Sequence, residues 1–186
     1  MILSILICSL FSRKEKLASL LENLDSQITN DVEILINIDK KEKSTGQKRN
    51  ELVAQAKGKY IVFIDDDDVV PDYYIQEMLK ACLSDMDCIA INGIMTTDGK
   101  DEIAWRLSKD NPNITITENG KNIYLRKTNH ITAVKREHAI KAPFPNKSNA
   151  EDKAYSDAVN VFLKTEYTIA LPMYHYVYLS KNKEYK

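Results

Sequence analysis

The sequence predicts an α/β fold in which a mainly parallel sheet is flanked by helices and followed by an irregular, mixed C-terminal half. Two observations carry this prediction. Through the first half of the 186 residues, short and nearly continuous apolar runs alternate with helical patterns. From about residue 93 this alternation gives way to turn-rich segments and mixed runs. Continuous apolar runs are typical of strands that are covered on both faces.

Four strands are predicted from Ile- and Val-rich runs at residues 2–8, 32–38, 60–64 and 88–92. Helical spacing of apolar residues predicts three helices between them and a fourth near the C-terminus. Pro71, a favoured first helical residue, marks the start of the third helix. Capping-box patterns predict the other starts at three pairs: Ser12 with Glu15, Ser44 with Gln47, and Ser148 with Glu151.

Composition excludes some classes of function. The chain has 26 Lys plus Arg against 27 Asp plus Glu, so there is no general electrostatic reason to expect nucleic acid or an anionic membrane as a partner. The three cysteines form no CxxC pair, and no run reaches the roughly 18 apolar residues of a membrane helix. We therefore expect a cytoplasmic protein with one domain, residues 1–186.

Four consecutive aspartates, Asp65 to Asp68, follow the third predicted strand. At about 6 Å spacing and an effective dielectric of about 20, each adjacent pair repels by roughly 2–3 kcal/mol. Ligands of open α/β sheets bind beyond the carboxyl ends of the strands, and a divalent cation there would offset the repulsion. Stabilisation of the next helix start explains Asp72, but not the first three aspartates. The cluster therefore predicts a metal or ligand site.

Four stretches together resemble a family 2 glycosyltransferase of the GT-A fold, which is nucleotide-sugar-dependent and inverting. They are "SILICSLFSRKEKLASLLENL", "VEILINID", "GQKRNELVAQAKGKYIVFIDDDDVVPDYY" and "AEDKAYSDAV". The resemblance implies a Rossmann-like sheet, with residues 1–92 as the nucleotide-sugar-binding half and residues 93–186 as the acceptor-side half.

By this resemblance, the aspartates form a DxD motif that binds the donor and a divalent cation, Mn²⁺ or Mg²⁺. Asp67 is the expected metal ligand, and His175 matches a C-terminal histidine that ligates the metal in many GT-A enzymes. Asp39 would accept the imide N–H of a uracil, which favours a UDP-sugar, and Phe11 would stack on the base. The resemblance gives this donor-binding set: Ser9, Phe11, Arg13, Asp39, Arg49, Asp65 and Asp66, with Arg49 beside the diphosphate.

The last stretch resembles the family's "ED" motif, whose aspartate is the general base. Asp152 lies three and seven residues before Tyr155 and Val159, which places it on the face of the buried stripe. An acid on such a face is either paired or functional. Ala150 replaces the glycine that usually precedes this motif.

The expected activity is metal-dependent transfer of a sugar from a nucleotide diphosphate to an acceptor hydroxyl. Two alternatives stay open at this point: a non-catalytic nucleotide-sugar-binding module of the same fold, and a nucleotidyltransferase. The latter usually carries a Gly-rich phosphate loop near its N-terminus, and "LICSLFSRKEK" contains no glycine. The sequence identifies neither the sugar nor the acceptor.

Overall fold

The computed structural model describes residues 1–180 and confirms the predicted α/β class. In this part of the chain nine strands form one sheet: β1 (Leu3–Leu10), β2 (Val32–Asp39), β3 (Tyr60–Phe63), β4 (Cys88–Thr97), β5 (Lys100–Leu107), β6 (Ile114–Glu118), β7 (Lys121–Arg126), β8 (Ala133–Lys135) and β9 (Glu166–Tyr178). Five helices flank it: α1 (Lys14–Asp25), α2 (Thr45–Gln55), α3 (Tyr74–Cys82), α4 (Arg136–Lys141) and α5 (Glu151–Val159).

The sheet is parallel where the sequence is most regular and mixed beyond it. Its order is β2-β1-β3-β8-β4-β5-β7-β6, and β9 runs parallel to β4. Strands β2, β1 and β3 are parallel to one another, whereas β8 is antiparallel to both β3 and β4. The carboxyl ends of β1, β2 and β3 therefore meet at one rim of the sheet, with Leu10 opposite Asp39.

Alternate residues of the central strands feed two apolar cores. Leu3, Ile5 and Ile7 of β1 face the core that α1 and α3 cover. Leu6 of β1 and Phe63 of β3 face the second core, which α2, α4 and α5 cover. This two-sided burial is the reason why the strands of the first half are nearly continuous apolar runs.

Three of the four predicted helix starts need correction. Ser12 lies in a short 3-10 turn and caps nothing, because α1 begins at Lys14. The helix after Pro71 begins three residues later, at Tyr74. The capping role of Ser44 is confirmed, since its hydroxyl accepts the N–H of Gln47.

The start of α5 differs most from the prediction. The helix begins at Glu151, and its N-cap is Ala150, which has left-handed backbone angles (φ 55°, ψ 24°). Ser148 makes no cap; its hydroxyl accepts the N–H of Thr45 instead. The prediction that Glu151 completes a capping box is therefore wrong, because its side chain is buried and paired elsewhere.

None of the helices within residues 1–180 combines the length and the apolar character that crossing a membrane requires.

Candidate active site

The four aspartates at the sheet rim divide between two sides. Asp66 and Asp67 face the start of α1, where Arg13 forms ion pairs with both carboxylates, at 2.9 Å for Asp66. The hydroxyl of Ser9 donates to the second oxygen of Asp66 at 2.6 Å. Burial raises the pKa of Asp66, and the contacts with Ser9 and Arg13 offset only part of that rise.

Asp65 faces a cleft on the other side and has two partners. One carboxylate oxygen accepts from the Arg49 guanidinium at 3.2 Å, and the other lies 3.1 Å from Nε2 of His130. Burial by itself raises the pKa of Asp65, but its interactions with His130 and Arg49 hold the pKa well below its usual range. Asp65 therefore stays ionised at neutral pH.

Asp68 is buried, and its hydrogen bonds come from β9. Its two oxygens accept from the Tyr174 hydroxyl and the Val177 N–H, each at 2.8 Å. Burial and the neighbouring charge of Asp65 raise the pKa of Asp68 to about 8.

The repulsion expected between adjacent carboxylates is thus relieved largely by protein groups. Arg13 pairs with both Asp66 and Asp67, Arg49 holds Asp65, and the raised pKa of Asp68 favours its neutral form. These contacts reduce the repulsion that a bound cation would have to offset, and they leave the ligand-binding role open.

A cleft of about 580 Å³ adjoins Asp65 and Asp68. Its walls come from β4, β5, β7, β9, the loop between β7 and β8, and the start of α5. They include Trp105, Tyr124, Arg126, Asn129, His130, Glu151, Asp152 and Tyr176. Asp152, the predicted base, is half-buried and lines this cleft together with Asp65. One of its oxygens accepts the N–H of Lys153 at 2.8 Å.

The loop that precedes Asp152 and the start of α5 is docked on the first turns of α2. Thr45 donates its N–H to the Ser148 hydroxyl, and the N–H of Gly46 donates to the carbonyl of Lys147 at 3.0 Å. The approach is so close that a Cβ on Gly46 would overlap the carbonyl oxygen of Pro145. Glycine is required at this position because a backbone segment occupies the space of its side chain.

Asp39 and Phe11 lie at the same rim of the sheet, at the end of β2 and directly after β1. Asp39 accepts from Lys48 Nζ and from the N–H of Lys43, each at 2.8 Å. Burial raises the pKa of Asp39, but these hydrogen bonds, led by Lys48, bring it below its usual range. Phe11 is 53% exposed, so it is no core residue, and the ammonium of Lys40 lies 5.7 Å from its ring centre.

His175 is not brought to the acidic side chains. Tyr174 and Tyr176 point from β9 toward the cluster and cleft, so His175 between them lies on the other face of the strand. There its Nε2 is 2.8 Å from the Thr96 hydroxyl.

The fit of a divalent cation rests on Asp67. Its side chain is 30% exposed at the rim, and the ion pair with Arg13 uses one of its two oxygens. Within residues 1–180 no three acidic, histidine or cysteine side chains form a ready-made metal cage. The donor set therefore fits a cation held by one carboxylate and completed by oxygens of a phosphorylated ligand, as is common for Mg²⁺.

Two site residues escaped the sequence reasoning. Lys48 was not singled out, yet it is buried between Asp39 and the Ser9 carbonyl. Glu151 was assigned to a helix cap. Both carried a signal, because Lys48 lies four residues before Leu52 and Glu151 lies four before Tyr155, each on a buried stripe. The contact of His130 with Asp65 had no such signal, since only the tertiary fold brings the two residues together.

Comparisons with known proteins identify the family and the fold. The model of the family described as glycosyl transferase family 2 matches residues 40–141. No curated protein matches the chain significantly.

Among solved structures, the chain is similar to S. aureus TarS 1-349 (TM-score 0.70), and to the same protein in complex with UDP-GlcNAc and with UDP (TM-score 0.72 each). In all three the identity is 14% and the match covers 95% of this chain, but it spans only 58–60% of TarS 1-349. A likeness at that identity shows the fold, and it confirms the predicted GT-A type of sheet. Because the family model spans more than half of the residues, the chain belongs to glycosyl transferase family 2.

Proposed function

We propose that this glycosyltransferase transfers a sugar from a UDP-sugar to an acceptor hydroxyl with inversion at the anomeric carbon. The observation that supports this most is the cleft in which Asp65, of the acidic cluster, and Asp152, of the "ED" motif, line the same walls. Residues 1–92 form the nucleotide-sugar-binding half and residues 93–186 the acceptor-side half, of which 181–186 lie outside the described residues.

The nucleotide binds across the ends of β1 and β2. Phe11 stacks on the base, and its exposed ring supports this role. Asp39 accepts the imide N–H of uracil, for which a carboxylate held ionised by Lys48 is suited. Ser9, Arg13 and Asp66 form the wall that positions the ribose and phosphates.

Asp67 is the residue that would hold a divalent cation, Mn²⁺ or Mg²⁺. When bound, such a cation neutralises the charge that develops on the diphosphate leaving group and acts as a Lewis acid. Asp65 lines the cleft that would hold the sugar, where its hydrogen bonds with Arg49 and His130 keep it oriented. The proposal leaves out His175, because its side chain lies on the opposite face of β9.

Asp152 is the general base. It takes the proton of the acceptor hydroxyl as the acceptor oxygen attacks the anomeric carbon. The bond from that carbon to the diphosphate oxygen breaks on the opposite side, and its electron pair leaves with UDP. Glu151 is unsuited to this task because Arg49 holds its carboxylate in a buried ion pair.

A panel of nucleotide sugars, incubated with the purified protein and Mn²⁺, tests the proposal through release of the nucleoside diphosphate. We expect UDP from at least one UDP-sugar, loss of release on chelation, and no comparable release from GDP-sugars. Binding of UDP without turnover of any donor would support a non-catalytic module instead. If chelation did not affect release of the nucleoside diphosphate, the proposed metal dependence would be wrong, but the proposed sugar transfer would stand.

A further inference from the structure

The guanidinium of Arg49 is buried at the junction of the two motifs. Its side chain is 4% exposed, one terminal nitrogen donates to Asp65 at 3.2 Å, and the other donates to Glu151 at 3.0 Å. Phe63 and Phe144 lie on it, with ring centres 5.4 and 5.3 Å from the guanidinium carbon. Both of its terminal groups are thus committed to carboxylates of the protein.

The helix that carries Arg49 also holds the chain segment before Asp152. The side-chain amide of Asn50 pairs with the backbone of Phe144 through two hydrogen bonds, at 2.8 and 2.9 Å. With the contacts of Thr45 and Gly46 described above, α2 holds the segment 144–148 along its first half. Arg49 is the member of this contact zone that also reaches the acidic cluster.

We propose that Arg49 is a positioning residue that ties the acidic cluster to the "ED" loop and thereby aligns Asp152 with the donor, instead of contacting the diphosphate. This inference rests on the proposed function. Glu151 is the link: it is bonded to Arg49 and adjacent in sequence to Asp152, although it lies 102 positions from Arg49 in the chain.

The two carboxylates that Arg49 contacts explain why this residue is an arginine. A guanidinium has a rigid fork of donors that can serve two carboxylates at fixed angles, whereas an ammonium acts as a point charge. Removing the arginine would leave the buried carboxylate of Glu151 and the half-buried carboxylate of Asp65 without the cation that they share. Binding of a donor near Asp65 and placement of the base near Glu151 therefore depend on the same buried group.

The test compares Arg49→Lys and Glu151→Gln in steady-state transfer and in UDP titrations. Both variants keep a polar side chain of similar size, and each breaks or weakens one side of the bridge. We expect kcat to fall about 10- to 100-fold in each, while the donor KM and the UDP affinity stay within about threefold. The double variant should lose little more than the worse single variant, because both act on one bridge.

A diphosphate-binding Arg49 predicts a different pattern: UDP affinity would fall tenfold or more in Arg49→Lys, UMP affinity would not change, and Glu151→Gln would leave kcat intact. That result would overturn the inference. Glu118→Gln is the matched control, since it removes the carboxylate of the exposed pair with Arg106 and should change neither constant.

Two further measurements distinguish a loss of folding from a loss of function. Thermal unfolding of each variant shows whether it folds, and if Arg49→Lys does not, Glu151→Gln alone decides between the two patterns. Absence of turnover in the wild type would be failure of the proposed function, and the inference would fall with it. Normal turnover in the wild type together with an unchanged kcat in Glu151→Gln would contradict this inference but not the proposed function.

Discussion

The two halves of the chain contribute to the site in different ways. In the first half, β1 pairs with β2 along eight residues and with β3 along four, so the rim that carries Asp39 and the acidic cluster is part of a continuous parallel block. The second half reaches the same rim through His130, which contacts Asp65, and through β9, whose Tyr174 and Val177 donate to Asp68. Sheet pairing holds the first half together, whereas the segment before Asp152 is held by its contacts with α2.

The largest expected effect comes from the acceptor side. Asp152→Asn removes the proton acceptor while it keeps the shape of the side chain, so transfer should fall by about 10²- to 10⁴-fold. UDP affinity should stay unchanged, because the nucleotide contacts belong to the first half. Parallel measurement of kcat and UDP affinity checks this prediction, and near-normal turnover would show that another group is the base.

The docking of the loop on α2 can be broken directly. Gly46→Ala places a methyl group against the carbonyl of Pro145, so the loop or the helix must move. We expect a loss of about 1–3 kcal/mol of unfolding free energy, and a fall in kcat larger than the rise in donor KM. Chemical denaturation measures the loss of unfolding free energy. The control is Ala54→Gly, in the last turn of α2. Gly99→Ala is unsuitable as a control because Gly99 has a positive φ.

A second junction between the halves lies far from the site, at Asp87. Its carboxylate accepts the N–H groups of Lys164 and Thr165, at 2.9 and 3.0 Å, just before β9. Burial raises the pKa of Asp87, but these hydrogen bonds hold the pKa well below its usual range. A depressed carboxylate pKa stabilises the fold above about pH 4 and loses that contribution as the pH falls further.

Asp87→Asn should therefore lower the stability at pH 7 by about 1–3 kcal/mol and flatten the acid side of the stability profile. Denaturation curves between pH 3 and pH 7 measure both effects. If the unfolding free energy changed equally with pH in the wild type and in Asp87→Asn, Asp87 would not tie the two halves together.

The smallest expected effect concerns Ala150. A non-glycine residue with left-handed angles costs roughly 1–2 kcal/mol, which is offset in part by the lower entropy cost of ordering alanine. Ala150→Gly should raise the unfolding free energy by about 0.5–1 kcal/mol with little change in kcat. A destabilised variant would show that the strain at this N-cap is not relieved by glycine.

The sequence predicted the parallel half well because its signals are local. Apolar runs identify β1 to β3, and the serine cap of α2 is readable from Ser44 and its neighbours. The run of four aspartates indicated the acidic cluster directly, and the resemblance to the family led to Asp152. Local signals could not show that Arg49 pairs with Glu151, because that contact joins residues 102 positions apart. Similarly, the orientation of His175 depends on which face of β9 meets the cleft.

Calorimetric titration of UDP into the wild type and Asp67→Ala, each with and without Mn²⁺, tests the central claim most directly. The claim is that the aspartates at the sheet rim, although neutralised by protein groups, bind a nucleoside diphosphate together with a divalent cation. We predict Mn²⁺-dependent binding to the wild type and at least tenfold weaker binding to Asp67→Ala in the presence of the metal. Equal affinities for the two proteins, or no UDP binding to the wild type, would contradict it.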